Sequence, residues 1–383
     1  MRRICVFTGS RADYGPLLPV IRGLADDAAI ELRLLVSGSH LVPGQGNTAD
    51  QIKNDGFRID ELVEMVVASD SPTGIAKSFA LGVSGYAEAL DRLDPDVLVV
   101  LGDRYEALAA AVASMFRLIP VAHIHGGDVT RGSIDDATRH AISKLSTIHF
   151  TATEDSRRRL VQMGEDPASV HLVGSPGIDT ILSTRLLGRA ELERVLAVTS
   201  GDPMMLVTYH SATADRQGSL DGIDNLLVAL RAFPSVSVVF TGTNVDQGGR
   251  YIETAIRAFV RDVGGGRAVY HPSLGQDVYL SALAEADVVV GNSSSALIEA
   301  PVLGTPTVNI GSRQDGRVRG SSVIDCGVSA EEITSAVRAA LAVDRATGGS
   351  PYGDGHAASR ICRLLKELPV RGLGDKTFHA LTD

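Results

Sequence analysis

A short part of this chain is dense in side chains that can move protons. Within the eighteen residues 123–140, histidines, aspartates and arginines recur: His123, His125, Asp128, Arg131, Asp135, Asp136, Arg139 and His140. The group directly follows the apolar run 119–124, which has the character of a buried strand. In open α/β sheets, the loops beyond the carboxyl ends of the strands carry the functional sites. The pattern therefore predicts acid–base chemistry and an enzyme.

Asp103 occupies a similar place after the preceding apolar run, 97–100. Gly102, just before it, permits a tight approach of the backbone. As an alternative, Asp103 caps a helix that begins near Glu106, because aspartate is a favoured N-cap residue. Parallel strands would bring Asp103 to the same edge of one sheet as His123, His125 and Asp128. We therefore favour Asp103 as a site residue.

Two other interpretations of this region are a metal site and a surface ion pair. The spacing of His123 and His125 fits an alternating strand, and no pair of histidines four apart on a helix follows, so the pattern does not favour a metal. Asp135 and Arg139 are predicted to lie one turn apart at the start of a helix. A solvated ion pair is the default for such a pair, but its position beside the histidine loop favours a role in the site.

A second candidate site follows the apolar run 288–290 in the second half of the chain. Ser293 and Ser294 lie where a strand is predicted to give way to a helix, and free N–H groups at such a junction bind anions such as a diphosphate. Glu299, one turn later, could accept hydrogen bonds from ribose hydroxyls, and Arg313 after the next strand could reach the same phosphates. An ordinary serine-capped helix is the alternative. Together the two loops predict a nucleotide diphosphate site.

Each half also places polar side chains just past its first predicted strand. His210 follows the run 203–208, and Arg11 and Asp13 hold the equivalent place in the first half. His210 would face a cleft if two such domains oppose each other, whereas a structural histidine is the alternative.

These groups are positioned by a repeated alternation of short apolar runs and helical patterns. The runs are residues 1–8, 31–36, 96–101 and 119–124 in the first half and 203–208, 236–241, 268–270, 288–291 and 306–310 in the second. Such alternation predicts an α/β fold with right-handed βαβ units and parallel sheets.

We expect two Rossmann-like domains that face a central cleft. Residues 1–185 form the first, with the acid–base groups, and residues 186–355 form the second, with the groups predicted to bind a nucleotide diphosphate. Residues 356–383 provide a C-terminal helix and tail that cross back to the first domain. The polar part of that tail, 371–383, has too little apolar content to specify its own packing.

Composition supports this fold class and excludes several partners. The 383 residues exceed what one core usually supports, and aromatic residues make up only 4%. The net charge is −10, without a block of lysines or arginines, which argues against nucleic-acid and membrane partners. Three scattered cysteines support neither a disulfide framework nor a zinc site and fit a reducing cytoplasm. No window reaches the length of a membrane span.

Several motifs also carry a family resemblance, in order along nearly the whole chain. They are residues 8–14 (TGSRADY), 102–104 (GDR), 123–128 (HIHGGD), 135–136 (DD), 139–144 (RHAISK), 291–294 (GNSS), 304–306 (GTP) and 311–313 (GSR). Together they closely resemble the UDP-N-acetylglucosamine 2-epimerases, and most of all the hydrolysing branch, which makes N-acetylmannosamine. The non-hydrolysing branch carries a catalytic glutamate where His125 stands, and many hydrolysing relatives have glutamate where Asp128 stands.

The resemblance implies a fold like that of the GT-B glycosyltransferases, with a UDP-sugar in the interdomain cleft. It implies no metal or nicotinamide cofactor and a homo-oligomer, either a dimer or a tetramer. The implied catalytic residues are Asp103, Asp128, Asp135, His210 and His125. The implied substrate-binding residues are Arg11, Arg104, Arg139, Ser293, Ser294, Glu299 and Arg313.

Three alternatives to a hydrolysing UDP-N-acetylglucosamine 2-epimerase stay open at this point. The first is a non-hydrolysing epimerase that returns UDP-N-acetylmannosamine. The second is an epimerase of a UDP-diacetamido-trideoxy sugar. The third is a GT-B glycosyltransferase, against which the acidic cluster of the first domain argues.

Overall fold

The computed structural model describes residues 1–42, 48–69, 71–130, 134–199, 203–211, 216–242, 249–343, 345, 350–370 and 375–381. The strands are β1 (Arg2–Thr8), β2 (Ile30–Ser37), β3 (Glu61–Val63), β4 (Val97–Leu101), β5 (Val121–Ile124), β6 (Ile148–Thr151), β7 (Val170–Leu172), β8 (Met204–Thr208), β9 (Ser237–Thr241), β10 (Ala268–His271), β11 (Val288–Gly291), β12 (Thr307–Ile310) and β13 (Val323–Cys326).

The helices alternate with these strands along most of the chain. They are α1 (Arg11–Ala25), α2 (Ala49–Asn54), α3 (Pro72–Leu93), α4 (Tyr105–Phe116), α5 (Ile134–Leu145), α6 (Glu154–Gln162), α7 (Pro176–Ser183), α8 (Arg189–Leu196), α9 (Arg216–Leu230), α10 (Gly249–Val263), α11 (Gly275–Glu285), α12 (Ser294–Ile298), α13 (Ala330–Leu341) and α14 (Ala357–Glu367). No helix in the described part of the chain is long and apolar enough to cross a membrane.

The chain divides into two compact units, each built on one parallel sheet. The first unit comprises Met1–Val129, Ile134–Leu182 and Tyr352–Asp383, and the second is made mainly of Ser183–Pro351. The strand order is β3-β2-β1-β4-β5-β6-β7 in the first and β10-β9-β8-β11-β12-β13 in the second. In both sheets the order reverses beside the first strand of the unit, as in doubly wound folds. The predicted α/β class, with two Rossmann-like sheets, is confirmed.

The sheets form because their strands are apolar on both faces. All four residues of β5 and all five of β8 are buried, as parallel strands covered by helices on both sides require. In the first unit, β1 and β4 contribute to two apolar clusters, one on each face of the sheet. Four strands are absent from the predicted apolar runs. They are β3 and β7, with three residues each, and β6 and β13, with four residues each.

The last part of the chain returns to the first unit. Helix α14 packs against α1, and the Asp179 carboxylate accepts hydrogen bonds from the backbone N–H groups of Ala357 and Ala358, at 3.1 and 2.8 Å. The tail beyond it was expected to lack specified packing, which is wrong for residues 375–381, because the ammonium of Lys376 is fixed by buried acceptors of the first unit. Residues 371–374 and 382–383 of that prediction lie outside the described residues.

Candidate functional site

The candidate acid–base residues of the first unit lie at the carboxyl ends of β4 and β5. Asp103 comes two residues after β4, and Gly102 makes the turn with a φ of +84°. The N-cap of α4 is Arg104, so the alternative in which Asp103 caps this helix is not the one observed. His125 directly follows β5 and adopts a left-handed φ of +65°, which is uncommon outside glycine.

Arg139, on α5, connects these two strand ends. Its side chain is only 5% exposed, and its guanidinium pairs with the Asp103 carboxylate through Nη2. Nη1 donates to the His125 carbonyl at 3.3 Å and lies 3.5 Å from Asp128 Oδ2. Arg139 is thus a buried bridge rather than half of a solvated pair. We call Asp103, His125, Asp128 and Arg139 the edge cluster.

Asp128 is the most fully satisfied carboxylate of the edge cluster. Ser156 Oγ donates to its Oδ1 at 2.5 Å, and His125 Nδ1 lies 3.0 Å from its Oδ2. Burial opposes ionisation, but the His125 hydrogen bond, the positive charges of His125 and Arg139 and the Ser156 hydroxyl outweigh it. They hold the pKa of Asp128 well below its usual range. Asp128 is therefore a fixed carboxylate that orients its neighbours.

The second ring nitrogen of His125 continues this chain of hydrogen bonds. His125 Nε2 lies 3.1 Å from the Oγ of Ser175, a buried residue directly before α7. Because ionised Asp128 only accepts, Nδ1 of His125 carries a proton and donates it to the Asp128 carboxylate. The sequence does not indicate Ser156 or Ser175 as site residues. Both are distant in sequence from their partners, Asp128 and His125, and neither belongs to a recognisable motif.

His123 does not join the edge cluster, contrary to the expectation that it reaches the sheet edge. Its side chain is fully buried, with Nδ1 3.1 Å from Ser143 Oγ and Nε2 2.8 Å from the Gly102 carbonyl. Burial lowers the pKa of His123 to about 3, so the ring is neutral at pH 7. Through these two contacts, His123 connects α5 to the turn that precedes Asp103.

The other predicted residues of the first unit lie near the amino ends of helices. Asp135 is partly buried in the first turn of α5, four residues before Arg139. Arg104 pairs with the buried carboxylate of Glu106 at 2.8 Å. Arg11 is exposed at the start of α1.

The loop that presents Arg11 is held by Asp13. The buried Asp13 carboxylate accepts hydrogen bonds from the Gly9 N–H at 2.7 Å and from the hydroxyls of Thr8 and Ser10. Burial raises the pKa of Asp13, and the hydrogen bonds from Ser10 and Gly9 oppose that rise. These contacts make Asp13 a support for the loop rather than a group available to a ligand.

In the second unit, Asn292 ties together the ends of β8, β11 and β12. Its side chain exchanges two hydrogen bonds with the backbone of His210, at 2.8 and 2.9 Å. Its carbonyl accepts from Arg313 Nη1 at 2.8 Å and from Gln314 Nε2 at 2.9 Å. Burial, followed by the charge of Arg313, lowers the pKa of His210 to about 4. The structure thus places neutral His210 and charged Arg313 around one residue that the sequence analysis did not single out.

The serine-rich loop begins a very short helix. Ser293 is the N-cap of α12, which has five residues, and its side chain makes no capping hydrogen bond. So short a helix adds little dipole, and Arg313 is therefore the main positive charge in this loop region. Ser294 is partly buried.

Glu299 lies at the end of α12 and belongs to a short chain of hydroxyl groups. It accepts from Ser295 Oγ at 2.9 Å, and Ser295 Oγ in turn lies 2.5 Å from the Tyr279 hydroxyl. Burial raises the pKa of Glu299, and the Ser295 hydrogen bond opposes that rise. Among the described residues, no group of three or more His, Cys, Asp or Glu is arranged to hold a metal ion.

Comparison with known proteins places this arrangement in a family. The family model described as UDP-N-acetylglucosamine 2-epimerase matches residues 22–366. The chain is 35% identical over 370 residues to a UDP-N,N'-diacetylbacillosamine 2-epimerase (hydrolyzing) of Legionella pneumophila, covering 97% of each chain. It is 34% identical to a GDP/UDP-N,N'-diacetylbacillosamine 2-epimerase (hydrolyzing) of Campylobacter jejuni, covering 86% of this chain and 85% of that protein.

A solved structure shares the fold. The UDP-GlcNAc 2-epimerase of Neisseria meningitidis, solved with UDP-GlcNAc bound, matches with a TM-score of 0.80 at 20% identity, covering 95% of this chain and 99% of that one. The expected GT-B-like fold is confirmed by this likeness. Because the family model matches most of the chain and the relatives are over 30% identical along most of its length, the chain belongs to the UDP-N-acetylglucosamine 2-epimerase family.

Proposed function

We propose that this protein is a hydrolysing 2-epimerase that converts a UDP-N-acetylhexosamine into UDP and the free sugar inverted at C2. UDP-N-acetylglucosamine, giving N-acetylmannosamine, is the first substrate to test. The observation that carries the proposal is the edge cluster, in which Arg139 holds Asp103 beside His125 and Asp128. The names of the Legionella and Campylobacter relatives support the hydrolysing outcome.

The chemistry explains why such a cluster is needed. C2 of the sugar has no neighbouring carbonyl, so its proton is not acidic by itself. Removal becomes feasible when UDP leaves C1 in an anti elimination, in which the C2–H and C1–O bonds break and a C1–C2 double bond forms. Protonation of C2 from the other face then inverts that centre, and water adds at C1. The reaction therefore requires acid–base groups on both sides of the ring and stabilisation of the leaving diphosphate.

Within the edge cluster the contacts suggest distinct roles. We assign the exchange of the C2 proton to Asp103 and to Asp135, which lies one turn before Arg139 on α5. Asp128 is held ionised and saturated with hydrogen bonds, so its role is to orient His125 and Arg139. We assign His125 to the water that adds at C1. This fits its place where the non-hydrolysing branch carries a glutamate.

The second unit supplies the groups suited to UDP. Arg313 provides the positive charge for the diphosphate, Ser293 and Ser294 provide hydroxyl and N–H donors, and Glu299 accepts from ribose hydroxyls. His210, neutral because of its lowered pKa, is suited to donate a hydrogen bond to a phosphate oxygen.

We assign two further arginines of the first unit to the substrate. Arg11 is exposed at the start of α1 and is suited to a phosphate oxygen. Arg104, beside Asp103, retains exposed surface while it pairs with Glu106.

A diacetamido-trideoxy sugar attached to UDP is the second candidate substrate, because both relatives described above are named for diacetylbacillosamine. Proton NMR of the purified protein with each UDP-sugar in turn tests the proposal. Free 2-epimeric sugar with an equal amount of UDP is the expected product. UDP-N-acetylmannosamine as the accumulating product would instead identify a non-hydrolysing enzyme, and no reaction with either sugar would remove the epimerase proposal.

A further inference from the structure

The C-terminal segment 375–381 lies across the end of α5, the helix that carries Arg139. The Lys376 ammonium donates to the carbonyls of Ser143, Lys144 and Ser146 at 3.3, 2.9 and 2.6 Å. These carbonyls belong to the last turn of α5 and to the residue after it, where backbone partners run out. Of the three, the Ser143 carbonyl also accepts the Ser146 N–H at 3.1 Å. A cation at this end also complements the helix dipole. Lys376 is therefore a C-terminal cap for α5 that is supplied from more than two hundred residues away in sequence.

The same ammonium belongs to a buried ionic group. Lys376 and Lys144 both lie 2.6 Å from the Glu165 carboxylate, and His149 Nε2 lies 2.9 Å from it. Glu165 and His149 are 1% exposed or less. We call Lys144, His149, Glu165 and Lys376 the sealed cluster.

Further contacts hold the C-terminal segment in this place. The His379 N–H donates to the Gly164 carbonyl at 2.9 Å. The ring of Phe378 lies against Gly164, where a Cβ would come within 2.2 Å of it, and Lys144 Nζ is 5.4 Å from the ring centroid. The segment is thus fixed by polar and cation–π contacts rather than by a buried apolar surface.

Helix α5 connects the sealed cluster to the edge cluster. Ser143 accepts from Lys376 through its carbonyl, while its hydroxyl contacts both His123 Nδ1 and the Arg139 carbonyl at 3.1 Å. His123 in turn reaches the carbonyl of Gly102, directly before Asp103. A short, continuous set of hydrogen bonds therefore runs from Lys376 to the residues that flank the candidate acid–base groups.

We propose that Lys376 is a positioning residue for the reaction, which sets the placement of Arg139 and Asp103 by capping α5. This inference rests on the proposed function. A small displacement of α5 would move Arg139 relative to Asp103 without removing any group that contacts substrate. Turnover should therefore respond more than substrate affinity does.

The test compares Lys376→Met, Lys376→Arg and Lys366→Met in the full-length protein. Lys366 is a matched control because it also pairs with a carboxylate of the first unit, that of Asp27 at 2.7 Å. This contact does not involve α5. We expect Lys376→Met to lower kcat about tenfold with KM changed less than about twofold. Lys376→Arg should keep kcat within about twofold of the wild type, because arginine retains the positive charge and the donors. Lys366→Met should leave kcat unchanged.

A kcat for Lys376→Met within about twofold of the wild type would overturn the inference, as would a loss that arginine does not restore. If Lys376→Met does not fold, Lys376→Ala takes its place under the same criteria, because it also removes the donor to the α5 carbonyls. Amide hydrogen exchange of residues 134–145 separates this inference from the proposed function. Exchange there should quicken in Lys376→Met and recover in Lys376→Arg even if the wild type turns over no UDP-sugar, and unchanged exchange would again overturn the inference.

Discussion

The edge cluster and the sealed cluster are built from the same kinds of residue on neighbouring strands of one sheet. Each combines a histidine, a carboxylate and a cation from a nearby helix. They differ in access, since Asp103 is 23% exposed whereas Glu165 is 1% exposed. The edge cluster lies where β4 and β5 end, and the sealed cluster is covered by the C-terminal segment. Residue type alone therefore does not mark a reactive site, and position relative to the carboxyl end of the sheet does.

The carboxylates of the two clusters, Glu165 and Asp103, also differ in the number of their charged partners. Burial opposes the ionisation of Glu165, but the His149 hydrogen bond, the charge of His149 and the ammonium groups of Lys144 and Lys376 outweigh it and lower its pKa to about 2. Such a carboxylate is fully paired and cannot exchange protons at neutral pH. Asp103 has one guanidinium partner in Arg139 and keeps exposed surface, which suits a group that must reach a substrate.

The largest effect is expected from Asp103→Asn, which removes an acid–base group from the edge cluster while preserving shape. The rate of UDP release should fall about a thousandfold, within the range that a positioned acid or base contributes. The thermal midpoint should also fall, because the buried Arg139 guanidinium loses its charged partner. Steady-state release of UDP measures the effect, and a rate within tenfold of the wild type would show that Asp103 is not an acid–base group.

In the sealed cluster, Glu165→Gln should lower the stability of the fold. Removing the charge leaves two ammonium groups near a neutral amide, and we expect a loss of about 3 kcal/mol in the free energy of unfolding. Denaturant titration measures it. Glu61→Gln is the control, because Glu61 pairs with the largely exposed Arg92 and should cost under about 1 kcal/mol. A similar loss in both variants would contradict the distinction between buried and surface pairs.

The same substitution carries a prediction about pH. The pKa of Glu165 in the folded chain, about 2, lies below the ordinary 4.5. The stabilisation is therefore present above pH 4.5 and is lost as the pH falls toward 2. The difference in unfolding free energy between wild type and Glu165→Gln should shrink over that interval. A difference that stays constant down to pH 3 would show that the Glu165 charge is not the source.

A third set of residues lies around Asn292 in the second unit. Substitutions there should weaken UDP binding, whereas substitutions in the edge cluster should slow turnover. Arg313→Met removes the main positive charge proposed for the diphosphate and should weaken UDP binding by about 2 kcal/mol, or about thirtyfold. Isothermal titration with UDP measures this, and Asp103→Asn serves as the comparison whose UDP affinity should be nearly unchanged. Equal UDP affinity in wild type and Arg313→Met would remove Arg313 from the diphosphate site.

The smallest effect is expected at Ser175, which supports the edge cluster from outside it. Loss of its hydroxyl in Ser175→Gly should cost about 1 kcal/mol of transition-state stabilisation, or about fivefold in kcat. Glycine is tolerated before a helix, so α7 should be retained. Ser175→Thr keeps the hydroxyl and should stay close to wild type. Equal turnover in the glycine and threonine variants would show that the hydroxyl does not act on His125.

The sequence predicted nine of the thirteen described strands, and the position of Asp103 and His125 at their ends, because these depend on local patterns. Apolar runs followed by polar turns identify parallel strands and their carboxyl ends, which is why Asp103 and His125 were placed at one edge. The partners that fix these residues come from remote segments. No spacing signals that Ser156 and Ser175 reach Asp128 and His125.

The C-terminal segment is a second case in which the sequence did not indicate a contact between remote residues. Its sequence is polar, and low apolar content predicted no specified packing. The structure shows instead that one lysine, placed among helix-end carbonyls and the carboxylate of Glu165, fixes its position. Such a contact depends on where the acceptors lie in three dimensions, and amino-acid composition does not predict their positions.

The central claim is that the C2 proton of a UDP-N-acetylhexosamine is removed and replaced from the protein's own acid–base groups. Deuterium content at C2 of the free sugar formed in D2O tests it most directly, measured by NMR or mass spectrometry after a single turnover. The account predicts one deuterium at C2 in essentially every product molecule. A product that keeps its original proton at C2 would show that the C2–H bond does not break, and would contradict elimination by the edge cluster.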